Sequence, residues 1–123
     1  MQEKFREILK QLRKSVSDIQ ALILVGPDGV VDHVLDDKAL SIETIAGEYA
    51  TLLRISRSAS EDSGAGNLVE NIMVSEKSIM IARSIPPEHY LILLARSQDQ
   101  IGRARYELKQ AASGIQRKFG SDG

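Results

Sequence analysis

The sequence predicts an α+β domain: a five-stranded antiparallel sheet with helices on both faces, in the order α-β-β-α-β-β-β-α. Three observations predict it: a hairpin signal at Pro27-Asp28-Gly29, three closely spaced apolar strands in the second half, and amphipathic helical patterns at both ends. The short connections between the later strands exclude parallel crossovers and favour an antiparallel meander. With 123 residues the chain has the size of one domain. We expect this domain to cover residues 1–119 and residues 120–123 to form a disordered tail.

The first half of the chain is predicted to be a helix followed by a hairpin. Residues 2–17 place four apolar side chains on one helical stripe: Phe5, Ile8, Leu12 and Val16. Strands are predicted at residues 19–25 and 30–36, joined by a turn in which Pro27 presets the first dihedral and Gly29 supplies a positive φ.

A second helix is predicted to begin at Ser41, whose hydroxyl can cap the first turn. It is predicted to end in the serine- and glycine-rich segment 58–66, the longest loop candidate. Two neighbouring faces of this helix are largely apolar: Ile42, Ile45, Tyr49, Leu52 and Ser56 on one, and Ala46, Ala50, Leu53 and Arg57 on the other. A helix that must bury two faces usually lies between its own core and something else, which is a first indication of a partner.

The second half is predicted to contain strands at residues 67–75, 77–85 and 89–96, and a last helix at 99–119. The buried stripe of that helix is Ile101, Ala104, Leu108, Ala111, Ile115 and Phe119. Strand 67–75 is apolar on both faces and lacks proline and lysine, so we interpret it as a central strand. If the topology instead places it at an edge, it would pair with another chain, most simply its own copy.

The net charge of -1 hides an uneven distribution. Residues 1–17 hold five basic and two acidic side chains (+3), and residues 100–119 hold five basic and one acidic (+4). Residues 18–66, in contrast, hold three basic and nine acidic side chains (-6). One face would be positive if the two terminal segments lie together. The basic residues are interpreted as solvated outer faces of surface helices, with an anionic partner or a membrane surface as the alternative.

Composition and motifs argue against several classes of protein. There is no cysteine, and His33 and His89 are interpreted as surface histidines because no further ligands stand at metal-binding spacing. Apolar runs fall far short of the roughly 20 residues of a membrane helix, and no RNA-binding strand motif or zinc finger occurs. We expect no metal, no cofactor, no nucleic-acid partner, no stable membrane insertion and a cytoplasmic location.

Local patterns over about residues 3–118 resemble the Roadblock/dynein light chain family. The segment Leu24-Val25-Gly26-Pro27-Asp28-Gly29-Val30-Val31 is similar to the family's apolar-strand, Asp-Gly, apolar-strand signature. The strand Tyr90-Leu91-Ile92-Leu93-Leu94, leading into Ile101-Gly102-Arg103-Ala104-Arg105, is similar as well. Gly26 stands where many members carry an acidic residue. The chain looks most like the single-domain bacterial members that activate a small GTPase.

This resemblance implies a homodimer, built through the second helix and the third strand, that binds a small Ras-like GTPase. The implied dimer contacts are Ile45, Tyr49, Leu52, Ser56, Leu68, Glu70, Ile72 and Val74. The implied GTPase-binding surface is Glu48, Thr51, Arg54 and Arg57. We therefore expect a regulatory module without its own active site, and whether it stimulates GTP hydrolysis stays open.

Alternatives remain at this point. A dimeric adaptor or scaffold subunit would bind its partners irrespective of nucleotide, and a small-molecule sensor domain is a weaker fold analogy. Arg54 or Arg57 could act as an arginine finger, although the resembling regulators act by reshaping the switch residues of the GTPase.

Overall fold

The architecture of the chain follows the predicted element order. The computed structural model describes residues 4–122. Its elements are α1 (Arg6–Ser15), β1 (Ile19–Gly26), β2 (Gly29–Leu35), α2 (Ile42–Asp62), β3 (Glu70–Val74), β4 (Ile79–Ile85), β5 (His89–Ala95) and α3 (Ile101–Asp122). The strands form one open antiparallel sheet in the order β2-β1-β5-β4-β3. The predicted fold class is confirmed.

The helices cover both faces of this sheet. Leu22 and Leu24 of β1 pack in one core with α1 and α3, whereas Ala21 and Ile23 pack in a second core with α2. This alternation follows from the two-residue period of a strand. The central strands β1 and β5 are buried on both faces, which explains their nearly continuous apolar runs.

The β1–β2 hairpin closes as the sequence predicts. Gly26 and Gly29 pair across the turn, and Gly29 has a φ of +120°, which favours glycine. The register of the two strands shifts between Leu24 and Val25.

Helix α2 begins as predicted and ends later. The Ser41 hydroxyl accepts a hydrogen bond from the Thr44 backbone N–H at 3.3 Å, which confirms the cap. The loop expected from residue 58 begins only after Asp62. The serines stabilise the helix end rather than interrupting it: the Ser60 hydroxyl donates to the Gly66 carbonyl at 2.7 Å, and Gly64 takes a φ of +85°.

Strand β3 is an edge strand, so its interpretation as a central strand is wrong. Among the strands of residues 4–122 it pairs with β4 alone, from Glu70 opposite Arg83 to Val74 opposite Ile79. Its apolar character on both faces had suggested a covered strand, but side-chain pattern does not determine how strands are ordered in a sheet. The condition under which the sequence predicts pairing with another chain is therefore met.

The two basic terminal helices lie side by side on one face, so the condition for a positive face is met. Helix α1 begins at Arg6; the predicted start at residue 2 lies outside the described residues. The Arg6 guanidinium lies 2.6 Å from the buried Asp32 carboxylate, and Arg13 lies 3.0 Å from Asp36. These ion pairs connect α1 to β2 and to the residue that follows it. Helix α3 continues past Phe119 to Asp122.

Candidate interaction surface

The free edge of the sheet carries apolar side chains that the described residues leave partly uncovered. Ile72 and Val74 of β3 face the α1–α3 side, opposite Ile81 and Ile79 of β4, yet they are 38% and 54% exposed. Isolated edges are commonly protected by proline, lysine or a bulge, and β3 has none of these. This edge is therefore suited to pairing with another strand.

Helix α2 lies on the other face and is only partly covered. Its buried residues are Ile42, Ala46 and Leu53. The row formed by Ile45, Tyr49, Leu52 and Ser56 is half-buried. This row faces β3, because the Asn71 side-chain amide donates to the Ser56 hydroxyl at 2.8 Å. Partial burial raises the pKa of Tyr49.

Ile55 extends this apolar row outward and was missed by the sequence reasoning. It is 63% exposed, the highest exposure among the large apolar side chains described. With 3.6 residues per turn, Ile55 lies beside Leu52 and Ala59. That spacing is the signal that could have identified it.

The eight residues implied for the dimer do not form one patch. Leu68 packs with the α2 row, whereas Glu70, Ile72 and Val74 point to the opposite face of the sheet. Glu70 already has partners within the chain, since its carboxylate lies 2.8 Å from Arg105 and 3.4 Å from Arg83. Glu70 therefore ties β3 to α3 and β4.

The four residues implied for GTPase binding are all exposed but lie on different sides of α2. The helical period places Glu48 on the β3 side and Thr51 at the outer surface. Arg54 and Arg57 lie on the side of the β1–β2 hairpin. Arg54 donates to Thr51 at 3.4 Å, and Arg57 lies 3.8 Å from Glu61, so both guanidinium groups rest along the helix.

An open groove of about 300 Å³ separates the hairpin from α2 on the same side as the two arginines. Val25, Pro27 and Val30 of the hairpin line one wall, and Ala46 and Ala50 line the other. Small α2 residues leave this groove unfilled. Its apolar walls can accept a side chain from a partner protein.

His89 is half-buried rather than freely exposed, which qualifies its interpretation as a surface histidine. Its ring packs 4.4 Å from the Phe119 ring, and its Nδ1 is buried without a hydrogen-bond partner among the described residues. Burial lowers the pKa of His89, and the neighbouring Glu88 carboxylate opposes this shift. His33 is exposed, and the adjacent Asp32 points to the other face, towards Arg6.

Across residues 4–122, no cluster of histidine and carboxylate side chains is arranged to hold a metal ion. In the same part of the chain, no helix combines the length and apolarity needed to cross a membrane.

The structure resembles solved structures of known proteins, although no family model and no curated protein matches the sequence. MglB from Myxococcus xanthus superimposes with a TM-score of 0.88 at 13% identity, over 98% of this chain and 90% of that one. A Roadblock/LC7 domain from Streptomyces avermitilis matches with a TM-score of 0.78 at 17% identity, over 92% of this chain and 95% of that domain. MglC from Myxococcus xanthus has 29% identity and a TM-score of 0.66, over 94% of this chain and 98% of MglC.

These likenesses show that the chain has the fold of Roadblock/LC7 proteins and resembles MglB in structure.

Proposed function

We propose that this protein is a cytoplasmic homodimeric regulator that binds a small Ras-like GTPase. One observation carries the proposal: the unpaired, apolar β3 edge lies beside the half-buried apolar row of α2 and its exposed neighbour Ile55. The Roadblock-like fold supports it, since members of that family serve as platforms for such GTPases.

Antiparallel pairing of two β3 edges would account for the exposed apolar residues on both faces. On the α1–α3 face, Ile72 and Val74 would meet their counterparts in the second copy. On the other face, the two α2 helices would approach each other and cover Ile55 and Leu52. The joined sheet would be continuous across the twofold axis, and the exposed backbone groups of the edge would be satisfied.

Pairing through this side of α2 leaves its outer surface and hairpin side free for a GTPase. Thr51, Arg54 and Arg57 lie on that surface, further along α2 than Ala50, its last residue in the groove lined by Val25 and Val30. Glu48 lies nearer the twofold axis in this arrangement. The GTPase would thus contact polar and charged groups around an apolar groove, which is a common composition for a non-obligate interface.

The regulator would act by selecting one conformation of the GTPase switch segments and so shifting its population. A trans-acting arginine is the alternative mechanism, and the intrachain contacts of Arg54 and Arg57 give no support for an extended finger.

The decisive experiment is single-turnover GTP hydrolysis by the Ras-like GTPase encoded nearest to this protein's gene, with and without excess regulator. Co-elution of the two proteins in GTP- and GDP-bound states accompanies it. GTP-selective binding with faster hydrolysis supports a GTPase activator. Binding that ignores the nucleotide supports the adaptor function instead, and the absence of any complex excludes that GTPase as a partner.

A further inference from the structure

We propose that the pocket between the end of β4 and α3 binds the phosphate group of a small anionic ligand or lipid headgroup. The pocket has a volume of about 340 Å³, within the usual range of small-molecule sites. Three cations line it, Arg83, Lys109 and Arg117, together with Ser113 and Gln116, and none of its lining residues is acidic. Its charge and size therefore fit a phosphorylated ligand.

Arg83 supplies a fixed positive charge at the β4 wall. Its side chain is 20% exposed, and one guanidinium nitrogen lies 3.4 Å from Glu70. A guanidinium has five N–H donors, so others remain for a phosphate oxygen. Glu70 is shared with Arg105 at 2.8 Å, and a single carboxylate facing two guanidinium groups leaves this corner positive.

Lys109 and Arg117 supply charge from α3 that no carboxylate compensates. Both side chains are exposed and neither makes an ion pair among the described residues. Bringing them towards Arg83 costs electrostatic repulsion, which a bound anion would relieve. Arginine and lysine side chains form charge-assisted hydrogen bonds with phosphate oxygens.

The wall of the pocket is held in place by Gln116, whose side-chain amide donates to the Pro86 carbonyl at 3.0 Å. This contact ties α3 to the β4–β5 connection. A second basic pocket, at the C-terminal end of α1, differs: Arg13, Lys14 and Arg96 there face Asp18 and Asp36. Compensation of its charges makes that site a poor phosphate binder and a useful reference.

Calorimetric titration with sodium pyrophosphate at constant ionic strength tests the proposal on the full chain. Saturable binding with one site per chain is expected. Lys109→Ala/Arg117→Ala should weaken it roughly tenfold or more, because each lost contact is charge-assisted. The matched control Lys10→Ala/Lys14→Ala removes the same charge from exposed positions of α1 and should change the affinity less than about twofold.

A second variant tests the role of the neighbouring carboxylate. Glu70→Gln should strengthen pyrophosphate binding several-fold because Arg83 and Arg105 lose their competing anion, whereas Glu76→Gln, in the β3–β4 turn, should not. Circular dichroism of each variant verifies that it is folded.

Co-sedimentation with vesicles of phosphatidylcholine, with and without phosphatidic acid, distinguishes the source of the phosphate. Loss of pyrophosphate binding on mutation of Lys109 and Arg117 supports a soluble ligand; loss of phosphatidic-acid-dependent sedimentation in the same variant supports a headgroup. Equal losses in the α1 control, or no saturable binding in either assay, overturn the proposal. Neither result depends on dimerisation or on a GTPase.

Discussion

Gly26 and His89 are in such close contact that a Cβ atom on Gly26 would lie 2.8 Å from the Nε2 atom of His89. The imidazole bridges the tip of the β1–β2 hairpin and the Phe119 ring near the end of α3. A side chain at this position, where many Roadblock-like proteins carry an acidic residue, would therefore have to displace the imidazole in this chain.

Gly26→Ala should destabilise the protein by about 1–3 kcal/mol, because the added methyl displaces a ring that is packed on its other side. The measurement is urea unfolding of the single variant and of Gly26→Ala/His89→Ala. In the double variant the ring is absent, so the glycine substitution should cost roughly 1 kcal/mol less than it does alone. Equal costs in both backgrounds would show that the contact is not the cause.

His89 should also make stability depend on pH. Burial lowers its pKa in the folded protein, against the opposing effect of Glu88, while the unfolded chain keeps a value of about 6.5. The unfolded state then binds more protons, so the free energy of unfolding rises with pH in this window. The contribution of His89 is complete above about pH 6.5, falls as the pH drops below that value, and levels off below the lowered pKa.

Unfolding between pH 5 and pH 8, with the variants His89→Gln and His33→Gln, tests this dependence. The slope should be reduced in His89→Gln and retained in His33→Gln, because His33 is exposed. If the free energy of unfolding still rose with pH in His89→Gln, the dependence would belong to other titratable groups.

The sequence predicted the elements and their order because hairpin chemistry and apolar periodicity are local signals. What it could not provide depends on tertiary arrangement. The edge position of β3 follows from strand order, and the partial burial of His89 follows from the approach of Phe119, 30 positions further along the chain. The Ser58–Gly66 segment misled the prediction of the α2 end because serine supports both loops and helix termini.

Part of the candidate site was predictable because helical periodicity is a local signal. The row Ile45, Tyr49, Leu52 and Ser56 follows directly from helical spacing and does face β3. Other features could be predicted only from the positions of the neighbouring elements. These are the division of β3 between two faces, the internal partners of Glu70 and the separation of Glu48 from Arg54.

Ser41→Ala should cost about 1 kcal/mol because the Thr44 N–H loses the hydroxyl that accepts its hydrogen bond. Ser58→Ala is the matched control, since Ser58 is an exposed interior position of α2. Alanine is the better helix former there, so the control should be neutral or stabilising by up to about 0.5 kcal/mol. Thermal or urea unfolding of the two variants gives the comparison, and equal destabilisation would argue against the cap.

Ile72→Lys should convert the proposed dimer into a monomer, because a charged side chain on an edge strand opposes edge-to-edge pairing. Val30→Lys is the control on the opposite edge strand β2: Val30 and Ile72 are 36% and 38% exposed. Light scattering coupled to size exclusion should give a monomer for the first variant and a dimer for the second. A monomeric wild-type protein, or dissociation by both substitutions, would contradict pairing through β3.

Arg54→Ala/Arg57→Ala should weaken GTPase binding while leaving the maximal rate of stimulated hydrolysis within about twofold of wild type at saturation. Both guanidinium groups lie on the proposed docking surface but contact residues of their own helix. A catalytic finger would instead predict a loss of roughly 10³–10⁵ in the hydrolysis rate even at saturation. Lys10→Ala/Lys14→Ala removes the same charge from α1 on the opposite face of the sheet and should alter neither quantity. Single-turnover rates measured over a range of regulator concentrations separate the affinity from the maximal rate, and a collapse of the maximal rate would establish the finger instead of a shift in switch conformation.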